Sequence, residues 1–237
     1  VRFCSSVNIF IVNSITSRLI ILVSLTTHFK AKIDREGKFQ DKVAMVTTAK
    51  QFTLAEYLAY DDGTDKRYEL VNGELNEMPS ESDLNNAIAI LLLLTFAQFV
   101  PGRLLRRGTE ILVIGSRATS RVPDLMVLTE ELAACLAGNA RSIVTIDMPP
   151  PALVVEVVSP GKENEDRDYR YKRSEYAARG IPEYWIVDPL SAQVVVLTLV
   201  DGLYEEVIYR GDENLLSQTF PTLQLTAKQV LTTEFEI

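Results

Sequence analysis

The sequence predicts an α/β fold of the mixed, α+β kind: a twisted sheet with parallel and antiparallel strands, flanked by helices. Three observations predict it. The block from Pro151 to Pro189, PALVVEVVSPGKENEDRDYRYKRSEYAARGIPEYWIVDP, reads as strand, charged helix, strand. Asn72-Gly73 and Asp201-Gly202 each sit between strand-like runs and mark hairpins. The stretch from Ser82 to Val100 is a long apolar helix that stops at Pro101-Gly102.

The central block organises the rest. Leu153 to Val158 is nearly all aliphatic and β-branched, as expected of a strand covered on both faces. Glu156 interrupts it, and a carboxylate there is costly unless a metal ion, a cation or hydrogen bonds compensate it. Alternation puts Val154, Glu156 and Val158 on one face. A helix follows from about Glu163 to Arg179, ended by Gly180 as C′ residue and by Pro182. Asp168, Lys172 and Tyr176 recur every four residues along one stripe of it. Glu183 to Asp188 returns to the sheet.

In chain order, residues 1–44 differ from the rest. Val7 to Leu25 is apolar but short and interrupted for a spanning helix. These residues are read as an N-terminal extension outside the core, with Met45 opening a domain that spans 45–237; a membrane anchor is the competing reading. Thr53 and Glu56 have capping-box spacing for a short helix over Thr53 to Tyr60. Lys66 to Met78 holds the first hairpin, with Glu69 on its first arm. The Ser82–Val100 helix is apolar on most sides, which predicts a central buried helix or a subunit contact, hence a homodimer. Strands are expected at Arg103–Arg107, Thr109–Ile114 and Arg121–Leu128, then a connecting segment with a short helix over 129–149. Ala192–Val200 and Leu203–Arg210 form the second hairpin, and the tail from Gln224 carries a last helix.

Composition narrows the function. The net charge is −8, and beyond residue 44 the chain holds 17 Lys/Arg against 29 Asp/Glu. Such acidity gives no global attraction for nucleic acid, so any nucleic-acid reading rests on a local basic patch and on metal ions. The densest basic cluster is Arg103, Arg106, Arg107, Arg117 and Arg121. Cys4 and Cys135 make neither a disulfide framework nor a zinc pattern, which favours a reducing, cytoplasmic setting. His28, the single histidine, lies in the extension, so a Ser-His-Asp triad is excluded for the main domain.

The candidate chemistry is carried by Glu69, Asp124, Glu156 and Lys172. Three carboxylates at or near apolar strands repel unless a cation sits between them. Oxygen-rich sites of this kind favour Mg²⁺ or Mn²⁺. A lysine nearby can orient water and offset charge in a transition state. Each residue also has a plain structural reading. Asp124 could satisfy backbone N–H groups at a strand start, and Glu156 could pair with an arginine. Glu69 could pair with Arg67 or Lys66, and Lys172 could be a solvated helix residue.

The order YELVNGEL, RVPDLMVL, ALVVEVVSP, DYRYKRSEYAARGIPEYWIVDP resembles the Uma2 family, formerly a domain of unknown function common in cyanobacteria. That family is placed in the PD-(D/E)XK superfamily, so the resemblance, which covers about Phe52 to Leu199, implies a restriction-endonuclease-like core and a Mg²⁺-dependent endonuclease acting on DNA. It makes Asp124, in Pro123-Asp124, and Glu156 the metal ligands, and Glu69 a third ligand, directly or through water. The superfamily's lysine normally stands two residues after the second acid; here that place is Val158. Lys172 is the substitute from the following helix, with Asp168 and Tyr176 flanking it. The alternative reading is a catalytically degenerate nuclease fold that serves as a nucleic-acid-binding or assembly module.

Overall fold

The structure is a computed structural model that describes residues 9–12, 20–23 and 50–233, apart from 65, 79 and 116. The chain divides into two compact units, Val1–Ala49 and Lys50–Ile237. In the first, β1 (Ile9–Val12) pairs antiparallel with β2 (Ile20–Val23). The apolar tract that invites a membrane-anchor reading is thus partly strand. Met45, Cys4 and His28 lie outside the described residues. No helix among the described residues is long and apolar enough to cross a membrane.

The second unit opens with α1 (Leu54–Leu58), whose capping box is formed as expected: the Thr53 hydroxyl accepts from the Glu56 amide and the Glu56 carboxylate accepts from the Thr53 amide. β3 (Tyr68–Val71) and β4 (Glu74–Glu77) form the first hairpin. Asn72 and Gly73 take φ of 50° and 82°, the doubly left-handed turn that suits strand twist. A side chain at Gly73 would press on the Phe52 carbonyl and the Gln51 side chain.

α2 (Asp83–Phe96) is capped by Ser82. Ile88, Leu92 and Phe96 are buried, whereas Ile90 and Leu94 face outward. The predicted strand at Arg103–Arg107 is mostly replaced by a tight 3₁₀ turn, Gly102–Leu104, and only β5 (Leu105–Arg106) remains extended. β6 (Glu110–Val113) follows as expected. The expected strand Arg121–Leu128 is two strands, β7 (Thr119–Arg121) and β8 (Leu125–Val127). Pro123 lacks the N–H a ladder needs, and the chain changes sheets there. α3 (Glu130–Leu136) and β9 (Ile143–Val144) lead to the central block.

There, β10 (Leu153–Val157) is followed by a continuous helical rod and then by β11 (Glu183–Asp188). The rod consists of α4 (Lys162–Asp166), a wide π-type turn over Arg167–Lys172, and α5 (Arg173–Arg179). Gly180 ends it at φ 78°. β12 (Gln193–Val200) and β13 (Leu203–Tyr209) form the second hairpin, and α6 (Ala227–Thr232) closes the described chain.

The main sheet has six strands in the order β13-β12-β11-β10-β8-β5. β10 and β11 are parallel and all other neighbours antiparallel, so the sheet is mixed. A smaller sheet, β7-β6-β9, lies apart. Alternation along β10 sorts the core. Leu153, Val155 and Val157 pack with α2 and α6, while Val154 and Val158 pack with Tyr176 of α5 and Ile111 of β6. Glu156 therefore belongs to the second face, beneath the helical rod.

Candidate active site

Asp124 and Glu156 share that face. β8 and β10 pair antiparallel with Leu125 opposite Val155, so the next position along puts Asp124 opposite Glu156. Met126, two residues from Asp124, is buried in the same cluster as Val154 and Val158. Residues directly opposite on neighbouring strands bring their Cβ atoms to about 4.5–5.5 Å. The strand break at Pro123 leaves Asp124 outside the ladder, and its Oδ2 accepts the Val157 amide at 2.6 Å.

Lys172 reaches the pair from the π turn. Its Nζ lies 2.7 Å from Oε2 of Glu156 and 3.1 Å from Oδ1 of Asp168. Tyr176 donates its hydroxyl to Oε1 of Glu156 at 2.6 Å. Arg167 also reaches Oδ1 of Asp168, at 3.2 Å. In an ordinary helix each fourth residue drifts by about 40°, whereas a wider turn brings such residues nearly into line. Asp168 and Lys172 at that turn, and Tyr176 in α5, are all buried. Val158, in the usual lysine slot, is 3% exposed and packed into apolar core.

The electrostatics follow from burial. Glu156, 3% exposed, is pushed above the usual carboxylate range by burial; the Lys172 ammonium opposes this, and Asp124 and Asp168 reinforce it. Burial likewise raises Asp124, against the pull of the Val157 amide and Lys172. Burial alone would lower Lys172, but Asp168, Glu156 and Glu69 override it and hold the amine protonated. The Tyr176 hydroxyl is driven far up, first by burial and then by the Glu156 charge, so it stays a donor.

Glu69 lines the same cavity, but it is engaged elsewhere. Its Oε1 accepts the Val122 amide at 2.9 Å and its Oε2 lies 3.3 Å from Arg121. It pairs with neither Lys66 nor Arg67; Lys66 takes Glu77 instead. Arg121, 2% exposed, also chelates Glu175 of α5 through Nε and Nη2 at 2.7 and 2.8 Å. Sequence reasoning missed Glu175, and it placed Arg121 in the basic cluster on which a nucleic-acid reading would rest. The arginine cluster does not form one patch. Arg103 pairs with Glu130, Arg106 with main-chain carbonyls, and Arg117 with Gln51. Only Arg107 and Arg121 of the five reach the cavity.

That cavity is about 730 Å³ and is lined by Asp124, Glu156, Lys172 and Glu69. Among the described residues, no three His, Cys, Asp or Glu side chains gather as a ready-made metal cage. The facing pair Asp124 and Glu156 nevertheless suits Mg²⁺ or Mn²⁺. Such ions keep several waters and take one or two carboxylates, and a buried acid facing a half-buried one gains from a cation between them.

Comparison with known proteins agrees with this architecture. No curated protein matches the chain. A solved structure from Anabaena variabilis ATCC 29413, a "putative nuclease belonging to DUF820", superposes with a TM-score of 0.57 at 19% identity, covering 76% of this chain and 98% of that one. At that identity it attests the shared fold. A family model described as "Putative restriction endonuclease" matches residues 54–228, and the chain belongs to that family, Uma2.

Proposed function

We propose that the protein is a Mg²⁺- or Mn²⁺-dependent endonuclease that hydrolyses phosphodiester bonds in DNA in the cytoplasm. The observation that carries the reading is the convergence of Asp124, Glu156 and Lys172 at the floor of one cavity, with Lys172 2.7 Å from Glu156. Asp124 and Glu156 would hold the cation. When bound, such an ion polarises the phosphodiester, lowers the pKa of nearby water and stabilises charge on the leaving oxygen. The remaining work falls to the chain itself. Tyr176 fixes the Glu156 carboxylate by a buried hydrogen bond. The Val157 amide fixes Asp124. Lys172 supplies an ammonium where negative charge grows on the phosphoryl oxygens as water attacks phosphorus. Glu69, held by Val122 and Arg121, is a wall residue that adds negative charge to the site without an oxygen committed to it. A homodimer would bring two such cavities to two strands, and the outward Ile90 and Leu94 of α2 support that arrangement.

The test is cleavage of plasmid and linear DNA by the full chain with Mg²⁺ or Mn²⁺. Asp124→Asn and Glu156→Gln should abolish cleavage and weaken Mn²⁺ binding in calorimetry. Full activity in both variants would overturn the reading. The buried Val158 in the lysine slot favours a second reading, a nuclease fold retained only for binding. Nucleic-acid binding without metal-dependent cleavage would select that one.

A further inference from the structure

Of the five cationic side chains lining the 730 Å³ cavity, four are neutralised within the protein. Arg107 donates to Glu81 and Asn86, Arg121 to Glu175, Arg167 to Asp168, and Lys172 lies against Glu156. The fifth is Arg67. Its guanidinium makes no hydrogen bond or ion pair among the described residues. It is exposed, and it passes over Gly108, where an added Cβ would come within 3.2 Å of Nη2. Gly108, at φ 70°, thus leaves the space the guanidinium crosses.

Arg67 also lines a second pocket of about 220 Å³, which shares Gly108 and Val122 with the first. That pocket is walled by Tyr57, Tyr60, Tyr68, Glu110 and Arg141. Its polar atoms are tied down. Tyr57 donates to Glu110 at 2.9 Å, Arg141 chelates the same carboxylate, and Tyr68 donates to Asp62 at 2.6 Å. Tyr60 is the less committed ring. It is 38% exposed and stands in edge contact with Phe52 and Tyr68 at 5.4 and 5.6 Å. Val122 joins the two spaces only two residues from Asp124.

We propose that Arg67 and the tyrosine pocket form a nucleotide subsite. Arg67 takes the phosphate next to the scissile one, and the attached base enters beside Tyr60. The inference rests on the nuclease reading for its substrate, but it concerns binding alone. A cavity floor rich in acids repels a polyanion, so an uncommitted guanidinium at its edge contributes more here than on an open basic surface. An aromatic face beside it accepts any base by stacking.

The experiment is oligonucleotide binding by the full chain, followed by fluorescence anisotropy in EDTA, where metal-dependent cleavage is silent. Arg67→Ala should weaken binding roughly tenfold and reduce the salt slope by about one. Tyr60→Leu should weaken it by about fivefold or more, while Tyr60→Phe, which keeps the ring, binds as the parent does. An oligonucleotide series with one abasic site moved along the strand should show one position whose penalty disappears in Tyr60→Leu. Thermal melts identify any variant that fails to fold, and Tyr60→Ala then replaces Tyr60→Leu in the stacking test. Unchanged binding in Arg67→Ala and Tyr60→Leu, with the abasic penalties intact, overturns the subsite; so does a parent protein that binds no oligonucleotide. Cleavage with Mg²⁺, measured separately, decides the nuclease reading. A protein that binds in this pattern without cutting keeps the subsite and loses the enzyme, and one that cuts with both variants unaffected does the reverse.

Discussion

The Tyr176 hydroxyl ends 2.6 Å from Oε1 of Glu156, while Lys172 takes the other oxygen of the same carboxylate at 2.7 Å. The tyrosine is fully buried, and water cannot replace its hydroxyl cheaply. Tyr176→Phe should destabilise the fold by about 1–3 kcal/mol, the usual cost of stranding a buried acceptor. Urea denaturation measures it. A loss below a few tenths of a kcal/mol would mean that Glu156 finds another donor.

Lys172 is the counter-charge for Glu156 and Asp168 together. Oδ2 of Asp168 already lacks a hydrogen-bond partner among the described residues, so little else is available to carry the charge. Lys172→Met should cost about 3–5 kcal/mol by leaving buried carboxylates unpaired. Adding Glu156→Gln and Asp168→Asn should restore most of that stability while activity stays absent. Denaturation of the single and triple variants tests it, and equal stability of parent and single variant would refute it.

The site also sets a pH dependence. Burial raises Glu156, against Lys172 and with Asp124 and Asp168, so the folded protein holds its proton more tightly than the unfolded chain. Stability of the metal-free protein should then fall as pH rises above the ordinary value of 4.5, and continue to fall through the raised folded pKa. Asp124 is shifted in the same direction, from 3.8, and adds to the decline. Lys172 contributes fully below 10.5, and that contribution is lost as pH climbs through its raised folded value. Midpoints of denaturation in EDTA across this range should slope downward, and Glu156→Gln should flatten the acidic part. Mg²⁺ should stabilise more at high pH than at low pH, because it competes with the same protons. An upward slope in EDTA would contradict the assignment.

At the first hairpin, Gly73 combines φ 82° with a backbone neighbour, the Phe52 carbonyl, 3.3 Å from where a Cβ would stand. Gly73→Ala should cost about 1–2 kcal/mol from the left-handed conformation alone, measured by thermal or urea melting.

Local chemistry explains what the sequence made legible. Asn-Gly and Asp-Gly need left-handed backbone, so both hairpins could be read from dipeptides. Glu156 was conspicuous because an ionised group contradicts its aliphatic neighbours. Its pairing with Asp124 was what the resemblance of the motifs, in their order, implied. What stayed hidden depends on partners far apart in the chain. Arg121 looked like a surface cation because nothing near it announces Glu69, 52 residues earlier, or Glu175, 54 residues later. The continuous strand expected across Val122-Pro123 also failed, since the proline's role as a crossing point between sheets emerges only once both sheets exist. The wide turn at Arg167–Lys172 carried no signal, because its residues favour an ordinary helix equally well.

That turn makes the segment's length a fixed quantity. Removing one residue from it would let the rod relax into regular α-helix with its two ends still nearly in phase, because the wide turn holds one residue more than an ordinary one. A deletion between Asp168 and Lys172 would spare both ends of the rod and still set the two residues three apart instead of four, undoing the pair that meets Glu156.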